Sequence, residues 1–115
     1  MKVDLNQYQR LAARTLPDHP FAGATGSIKT GLLLHGVLKL AGEAGELSDL
    51  VGKWYGQGHD LDRDLLVEEL GDVLWHTAEI ATALGVDLGE VAYRNLEKLH
   101  GRYPDGFDPD RSTKR

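Results

Sequence analysis

The chain has 115 residues, 41% of them apolar, and a formal net charge of -5, which is the length of one ordinary domain with enough apolar material for a core. It contains no cysteine, which excludes disulfides, thiolate metal sites, thiol catalysis and iron–sulfur clusters, and its acidic balance argues against electrostatic capture of nucleic acid. Residues 1–10 lack the apolar run of a signal peptide, and no later run approaches the roughly 20 apolar residues that span a bilayer; a cytoplasmic protein with neither nucleic-acid nor membrane partner is expected.

Apolar residues first recur at helical spacing through Leu5, Tyr8, Leu11 and Ala12, after Asp4 as a cap and before Pro17. From Thr15 to Thr30 the composition turns to Pro, Gly, Ser, Thr and His without a period, the pattern of a long loop. A second helix is marked by the stripe Leu33, Val37, Leu40, Ala41, Ala44, Leu47, Val51 and Trp54, and it ends at Gly56–His59. Asp60 and Asp62 announce a third, carrying Leu66, Leu70, Val73, Thr77, Ile80, Ala81 and Leu84 up to Gly85. The fourth opens at Asp87, with Glu90 placed for a capping box, and runs through Val91, Leu96 and Leu99. These elements define an all-α, four-helix bundle-like fold in one domain, residues 1–108, followed by a charged tail, 109–115.

Two acidic pairs stand out. Residues three apart project side by side from a helix, so Glu43 with Glu46, and Glu69 with Asp72, each form a two-carboxylate claw. Glu43 and Glu69 fall at the edge of the apolar stripes, where a neighbouring helix is expected, rather than on the solvent face. Antiparallel packing of the second and third helices brings the four carboxylates into one cleft. Such a cluster repels itself unless hard divalent cations bind, and magnesium suits carboxylate, water and phosphate oxygens. Gly42, Gly45 and Gly71 lie beside the claws, and a glycine inside a helix costs about 1 kcal/mol against alanine; close helix approach, or room for a ligand, would offset that.

Acids three apart are also ordinary surface decoration, as Glu46 with Asp49 and Asp87 with Glu90 illustrate. A di-iron carboxylate bundle needs paired Glu-x-x-His motifs, and only Glu97-x-x-His100 is present. His19 and His59 read as loop residues, His35 as lying on an exposed helix face, and His76 as a polar flank of the acidic stripe rather than a ligand. Trp54 continues the core stripe of its helix. Trp75 lies opposite its own stripe, which suggests a subunit interface.

The run Leu40-Ala41-Gly42-Glu43-Ala44-Gly45-Glu46, then after 22 intervening residues Glu69-Leu70-Gly71-Asp72-Val73-Leu74-Trp75, resembles the E-x-x-E and E-x-x-D signature of the MazG-like all-alpha nucleoside triphosphate pyrophosphohydrolases. Arg94-Asn95-Leu96-Glu97-Lys98-Leu99, Arg102-Tyr103-Pro104-Asp105-Gly106-Phe107 and the opening Tyr8–Thr15 are similar to the same family, so the likeness covers about residues 5–108. The resemblance implies hydrolysis of an NTP or dNTP between the α and β phosphates to nucleoside monophosphate and pyrophosphate, a nucleotide-pool house-cleaning activity. It further implies that Glu43, Glu46, Glu69 and Asp72 are the catalytic, magnesium-binding residues, with manganese as a substitute ion. Lys53, Asn95, Lys98, Arg102 and Tyr103 become candidates for substrate binding, and a homodimer or homotetramer is expected. Gly42 stands where some members carry a further glutamate, which leaves Glu46 as a possible water-activating base; Glu68 points away from the stripe. The alternative of another class is a non-catalytic helical oligomeric module that binds protein through an apolar face.

Overall fold

The computed structural model describes residues 2–16, 24–25 and 28–113. In chain order these form α1 (Leu5–Ala13), a short antiparallel ladder of β1 (Ala24–Thr25) and β2 (Ile28–Lys29), then α2 (Thr30–Gln57), α3 (Arg63–Leu84), α4 (Leu88–Arg102) and α5 (Pro109–Thr113). The all-α class and the four principal helices stand as the sequence patterns predict. The two-stranded ladder is the departure, since it occupies part of a segment expected to be loop throughout; His19 lies outside the described residues.

Helix boundaries follow local chemistry. Asp4 Oδ1 accepts the Gln7 N–H at 2.8 Å, and Asp62 Oδ1 accepts the Leu65 N–H at 3.0 Å, so α1 and α3 each begin on a side-chain cap. Gly58 and Gly85, with φ of 73° and 72°, end α2 and α3 in the left-handed conformation that glycine adopts without a Cβ clash. The capping box at α4 does not form: Asp87 is the N-cap by backbone alone, and Glu90 pairs instead with Arg94 at 2.9 Å. In the tail, Arg111 Nη1 donates to the Arg102 carbonyl at 3.3 Å, across from α5 to the end of α4.

The dominant contact is the hairpin of α2 and α3; α1 lies on α3, and α4 rests on α1 and α3. His35 opposite Glu79, and Glu43 opposite His76, show the two long helices running antiparallel. The core is small: Ala78, Ala81 and Leu88 form its centre, with Tyr8 and Val86 against them. One buried amide locks this layer. Gln9 Nε2 donates to the Val86 carbonyl at 2.9 Å and to Thr82 Oγ1 at 3.3 Å, while its Oε1 accepts the Leu88 N–H at 2.6 Å.

Glycine does its packing work at a position the sequence did not flag. A Cβ on Gly36 would come within 2.9 Å of Ile80 Cγ1 and 3.3 Å of Glu79 Oε1, whereas one on Gly42, Gly45 or Gly71 would meet nothing within 4 Å. Close approach therefore belongs to Gly36, and on α4 to Gly89, where a Cβ would meet Asn6 Oδ1 at 2.8 Å, while the three glycines beside the acids leave open space.

Both tryptophans differ from expectation. Trp75 turns inward onto α1, where it lines a small crevice with Gln9, Ala12, Ala13 and Leu16, and its Nε1 donates to Thr15 Oγ1 at 2.8 Å. The wheel of α3 misplaced it because the short α1 covers a second face of that helix. Trp54 is exposed and rests against Tyr55 rather than in the core. The apolar rows of the long helices stay largely open: Leu38 is 64%, Leu70 58% and, on α4, Leu96 64% exposed. Among the described residues no helix is long and apolar enough to cross a membrane.

Because Gln9 satisfies a buried N–H and a carbonyl of the α3–α4 junction, Gln9→Ala is expected to lower unfolding free energy by about 2–4 kcal/mol, each orphaned buried polar group costing about 1–3 kcal/mol. A urea melt followed by circular dichroism measures it, with an unchanged midpoint denying the lock.

Candidate active site

On α3, Glu69, Asp72, His76 and Glu79 follow one another at steps of three and four, which places them in one column on one face. On α2, His35, Glu43 and Glu46 fall in a matching column. The antiparallel hairpin sets the columns against each other, making a ladder of ionisable groups that runs from an open end at Glu46 and Glu69 to a buried end at His35 and Glu79.

At the open end, carboxylate oxygens of Glu43, Glu69 and Asp72 lie within 4.8 Å of one another. Oε2 of Glu43 and Oε2 of Glu69 are buried without a hydrogen-bond partner. The hydrogen bond with Glu46 is the largest of the effects that push the Glu69 carboxyl up to about 7, followed by desolvation and the charges of Glu46, Asp72 and Glu43. Desolvation, then the charges of Glu46 and Asp72, also raises Glu43, while His76 works in the opposite sense. Burial and the charge of Asp72 raise the Tyr8 phenol as well, which brings α1 to the edge of the cluster. The cluster thus gathers three acids on two helices without a Lys or Arg among the groups that shift them, and the Glu43 and Glu69 carboxyls are both raised for it. All-oxygen donors with two unsatisfied buried atoms fit a hard divalent ion.

Beside the claws opens a cleft of about 460 Å³ lined by Gly42, Gly45, Glu46, Asp49, Leu50, Leu65 and Glu69. The bare backbone at Gly42 and Gly45 forms part of its wall, so the glycines leave room for a ligand instead of bringing helices together. Lys53 reaches the rim through an ion pair to Asp49 at 2.8 Å. Glu68 is exposed, off the cluster face.

The other expected substrate residues sit elsewhere. Asn95 and Lys98 are exposed on α4, and no described hydrogen bond or ion pair links them to the carboxylates. The Arg102 guanidinium lies 6.0 Å from the centroid of the Tyr103 ring, which in turn packs against Phe107 at 5.4 Å. The single chain therefore joins the four acids and Lys53 but not the α4 group.

The buried end was misread from sequence. His35 is not on a free face: its Nδ1 donates to Glu79 Oε2 at 2.7 Å. His76 Nδ1 donates to the other oxygen, Oε1, at 3.0 Å, and the Glu79 side chain is fully buried. Glu79 drew no attention in the sequence because a lone glutamate in a helix normally faces water; the available signal was its place one turn beyond His76 in the column of Glu69 and Asp72.

A helical hairpin that sets a carboxylate cluster beside an open cleft is an all-α arrangement whose donors suit hard cations. The chain belongs to the MazG family: the model of the MazG nucleotide pyrophosphohydrolase domain matches residues 34–107. It is also similar to the Gene 37 protein of Mycobacterium phage L5, 38% identical over 110 residues that cover 92% of each chain. No solved structure matches it.

The raised carboxyls set a pH dependence. The Glu69 carboxyl titrates near 7 in the folded chain against 4.5 in the unfolded one, so the folded state binds the extra proton between those values. Without divalent ions, the stabilising effect of that proton is complete below the unfolded value and is lost as pH rises through about 7. Melting temperature in chelator should accordingly fall from pH 5 to pH 8, and Glu69→Gln should flatten the decline; a melting temperature rising over that range in the wild type would contradict the cluster.

Proposed function

We propose that the chain is a divalent-cation-dependent nucleoside triphosphate pyrophosphohydrolase, cleaving NTPs or dNTPs to nucleoside monophosphate and pyrophosphate. The observation that carries this reading is the pair of buried, partnerless carboxylate oxygens on Glu43 and Glu69 beside an open cleft, in a chain of the MazG family.

Glu43, Glu46, Glu69 and Asp72 hold magnesium, with manganese able to substitute. The chemistry such an ion supplies when bound is neutralisation of triphosphate charge, acidification of a water and stabilisation of the leaving pyrophosphate. The reaction adds water oxygen to the α-phosphorus and breaks its bond to the oxygen bridging to the β-phosphorus, which departs with pyrophosphate. Glu46, exposed and close enough to Glu69 to raise its carboxyl, would take the proton from the attacking water, the role left open by Gly42. The cleft along Gly42 and Gly45 admits the nucleotide, and Lys53 at its rim meets a phosphate after exchanging its bond with Asp49.

Asn95, Lys98, Arg102 and Tyr103 contribute to substrate binding in an assembled homodimer or homotetramer. What supports assembly is the open apolar surface on α2, α3 and α4, large for a chain with so small a core. The physiological task that goes with this chemistry is removal of unwanted nucleotides from the pool. The same apolar surface also favours the second reading, a non-catalytic helical module that binds protein.

Pyrophosphate release from a panel of NTPs and dNTPs separates the two. Magnesium-dependent release of equal pyrophosphate and monophosphate is expected, falling at least about 100-fold in a Glu43→Gln, Glu69→Gln variant that keeps its fold; no turnover on any nucleotide favours the binding module. Light scattering at micromolar concentration should give at least twice the 12.6 kDa chain mass, with Leu70→Glu shifting the population towards monomer. A wild type that remains monomeric removes the support for assembly.

A further inference from the structure

The buried end of the ladder is not required by an all-oxygen cation site, yet it points into one. His76 is 7% exposed and its Nδ1 is committed to Glu79. A carboxylate only accepts hydrogen bonds, so that Nδ1 carries the proton and, in the neutral ring, Nε2 presents its lone pair. This Nε2 lies 3.9 Å from Glu43 Oε1, beyond hydrogen-bond length, so His76 adjoins the carboxylate group of Glu43, Glu69 and Asp72 on its Glu43 side without belonging to the set within 4.8 Å. A lone pair facing an anionic oxygen is unfavourable unless a proton or a cation lies between them. Two donors each about 2.1 Å from one ion stand roughly 3–4.2 Å apart, depending on the angle they subtend; the observed separation falls inside that window.

The support behind the imidazole is specific. A histidine that binds a metal through one ring nitrogen characteristically donates its other N–H to a carboxylate, which fixes ring orientation and raises donor strength. Glu79 stands in that relation to His76, and it is itself held from the far side by His35 Nδ1 at 2.7 Å. Gly36 makes the arrangement possible, because any Cβ there would sit 3.3 Å from Glu79 Oε1 and closer still to Ile80. Burying a glutamate among helices is costly unless it is paired and hydrogen-bonded, and its two imidazole bonds meet that demand while aiming His76.

We propose that His76 Nε2 is a nitrogen donor, on the Glu43 side, to the divalent ion of the carboxylate cluster, with Glu79 as the positioning residue that orients it, so that the centre that uses magnesium also binds manganese and other first-row transition ions tightly. This inference rests on the cation-dependent reading of the carboxylate cluster and adds to it a ligand of a different chemical kind. Imidazole suits transition ions, whereas all-oxygen sets suit magnesium and calcium.

The test is binding of manganese alone to the full chain, without nucleotide, read by equilibrium titration and by pulsed electron paramagnetic resonance of the bound ion. Modulation from a directly coordinated imidazole nitrogen is expected in the wild type, changing to the ¹⁵N pattern when histidine is ¹⁵N-labelled. It should vanish in His76→Gln, and Glu79→Gln should weaken manganese binding roughly 10–100-fold, as loss of such a supporting group typically does. The wild-type spectrum is decisive even if a variant fails to fold. Manganese bound with no nitrogen modulation would overturn the inference and leave the carboxylate site standing. Nitrogen modulation that survives His76→Gln, or that survives Glu43→Gln with Glu69→Gln, would place the ion elsewhere and overturn it too. Failure of the wild type to bind manganese or magnesium at all would overturn both the inference and the cation-dependent reading beneath it.

Discussion

The structure is organised by the problem of placing negative charge between two helices. Glu43, Glu69 and Asp72 face one another across the α2–α3 hairpin with two oxygens lacking any partner, and Glu79 lies fully buried further along the same face. Desolvation raises the Glu43 and Glu69 carboxyls, and a buried carboxylate such as Glu79 is costly unless it is hydrogen-bonded. The chain solves the problem differently at the two ends. At the closed end two imidazoles bracket Glu79; at the open end two carboxylate oxygens, one on Glu43 and one on Glu69, are left without a partner. His76 joins the two, bonded to Glu79 on one side and facing Glu43 on the other.

The rest of the fold serves that ladder. Gly36 removes the one Cβ that would push α2 away from Glu79 and Ile80, while Gly42 and Gly45 keep the cleft wall bare beside the acids. Trp75 and His76 are neighbours that divide α3 between two tasks: the indole faces α1 and holds Thr15, and the imidazole, edge-on to it at 4.8 Å between centroids, faces α2. Through Gln9 the same α1 grips the turn into α4. A nine-residue helix thereby braces the face of α3 beside the acids, along Trp75, Ala78 and Thr82.

Periodicity carried the helices, their caps at Asp4 and Asp62, their stops at Gly58 and Gly85, and the juxtaposition of the two acidic pairs. Those features depend on local chemistry and on one inference about hairpin packing. What escaped was everything that needed to know which third element covers which face. Trp75 looked outward because α1 was not placed; His35 looked like a surface residue, and Glu79 went unnoticed, because their bond joins positions 44 apart on different helices. Gly36 went unremarked for the same reason, since nothing local distinguishes a glycine that makes room from one that merely weakens a helix. Trp54 and the outer rows of the stripes were read as core because amphipathic spacing reports that a face wants to be covered, not by what.

That last distinction bears on assembly. Amphipathic helices obtain most of their stability from tertiary burial of the apolar face, yet α2 buries only Gly31 and Gly36 in the single chain. Its less exposed positions alternate ladder residues with half-buried leucines, His35 and Glu43 with Leu33, Leu40, Leu47 and Leu50, while Leu34, Val37, Leu38 and Val51 stay open. A hairpin that gives part of its covered surface to ionisable groups has apolar rows left to bury, and a second copy offering the same open rows would be the simplest source consistent with closed symmetry. Assembly would also bear on the separation of the expected substrate residues, because α4 lies on α1 and α3 within one chain and a neighbour's α4 could approach the cleft from its open side. The site and the proposed assembly would then share one cause: carboxylates stand between the two longest helices, where a monomeric bundle would keep apolar side chains.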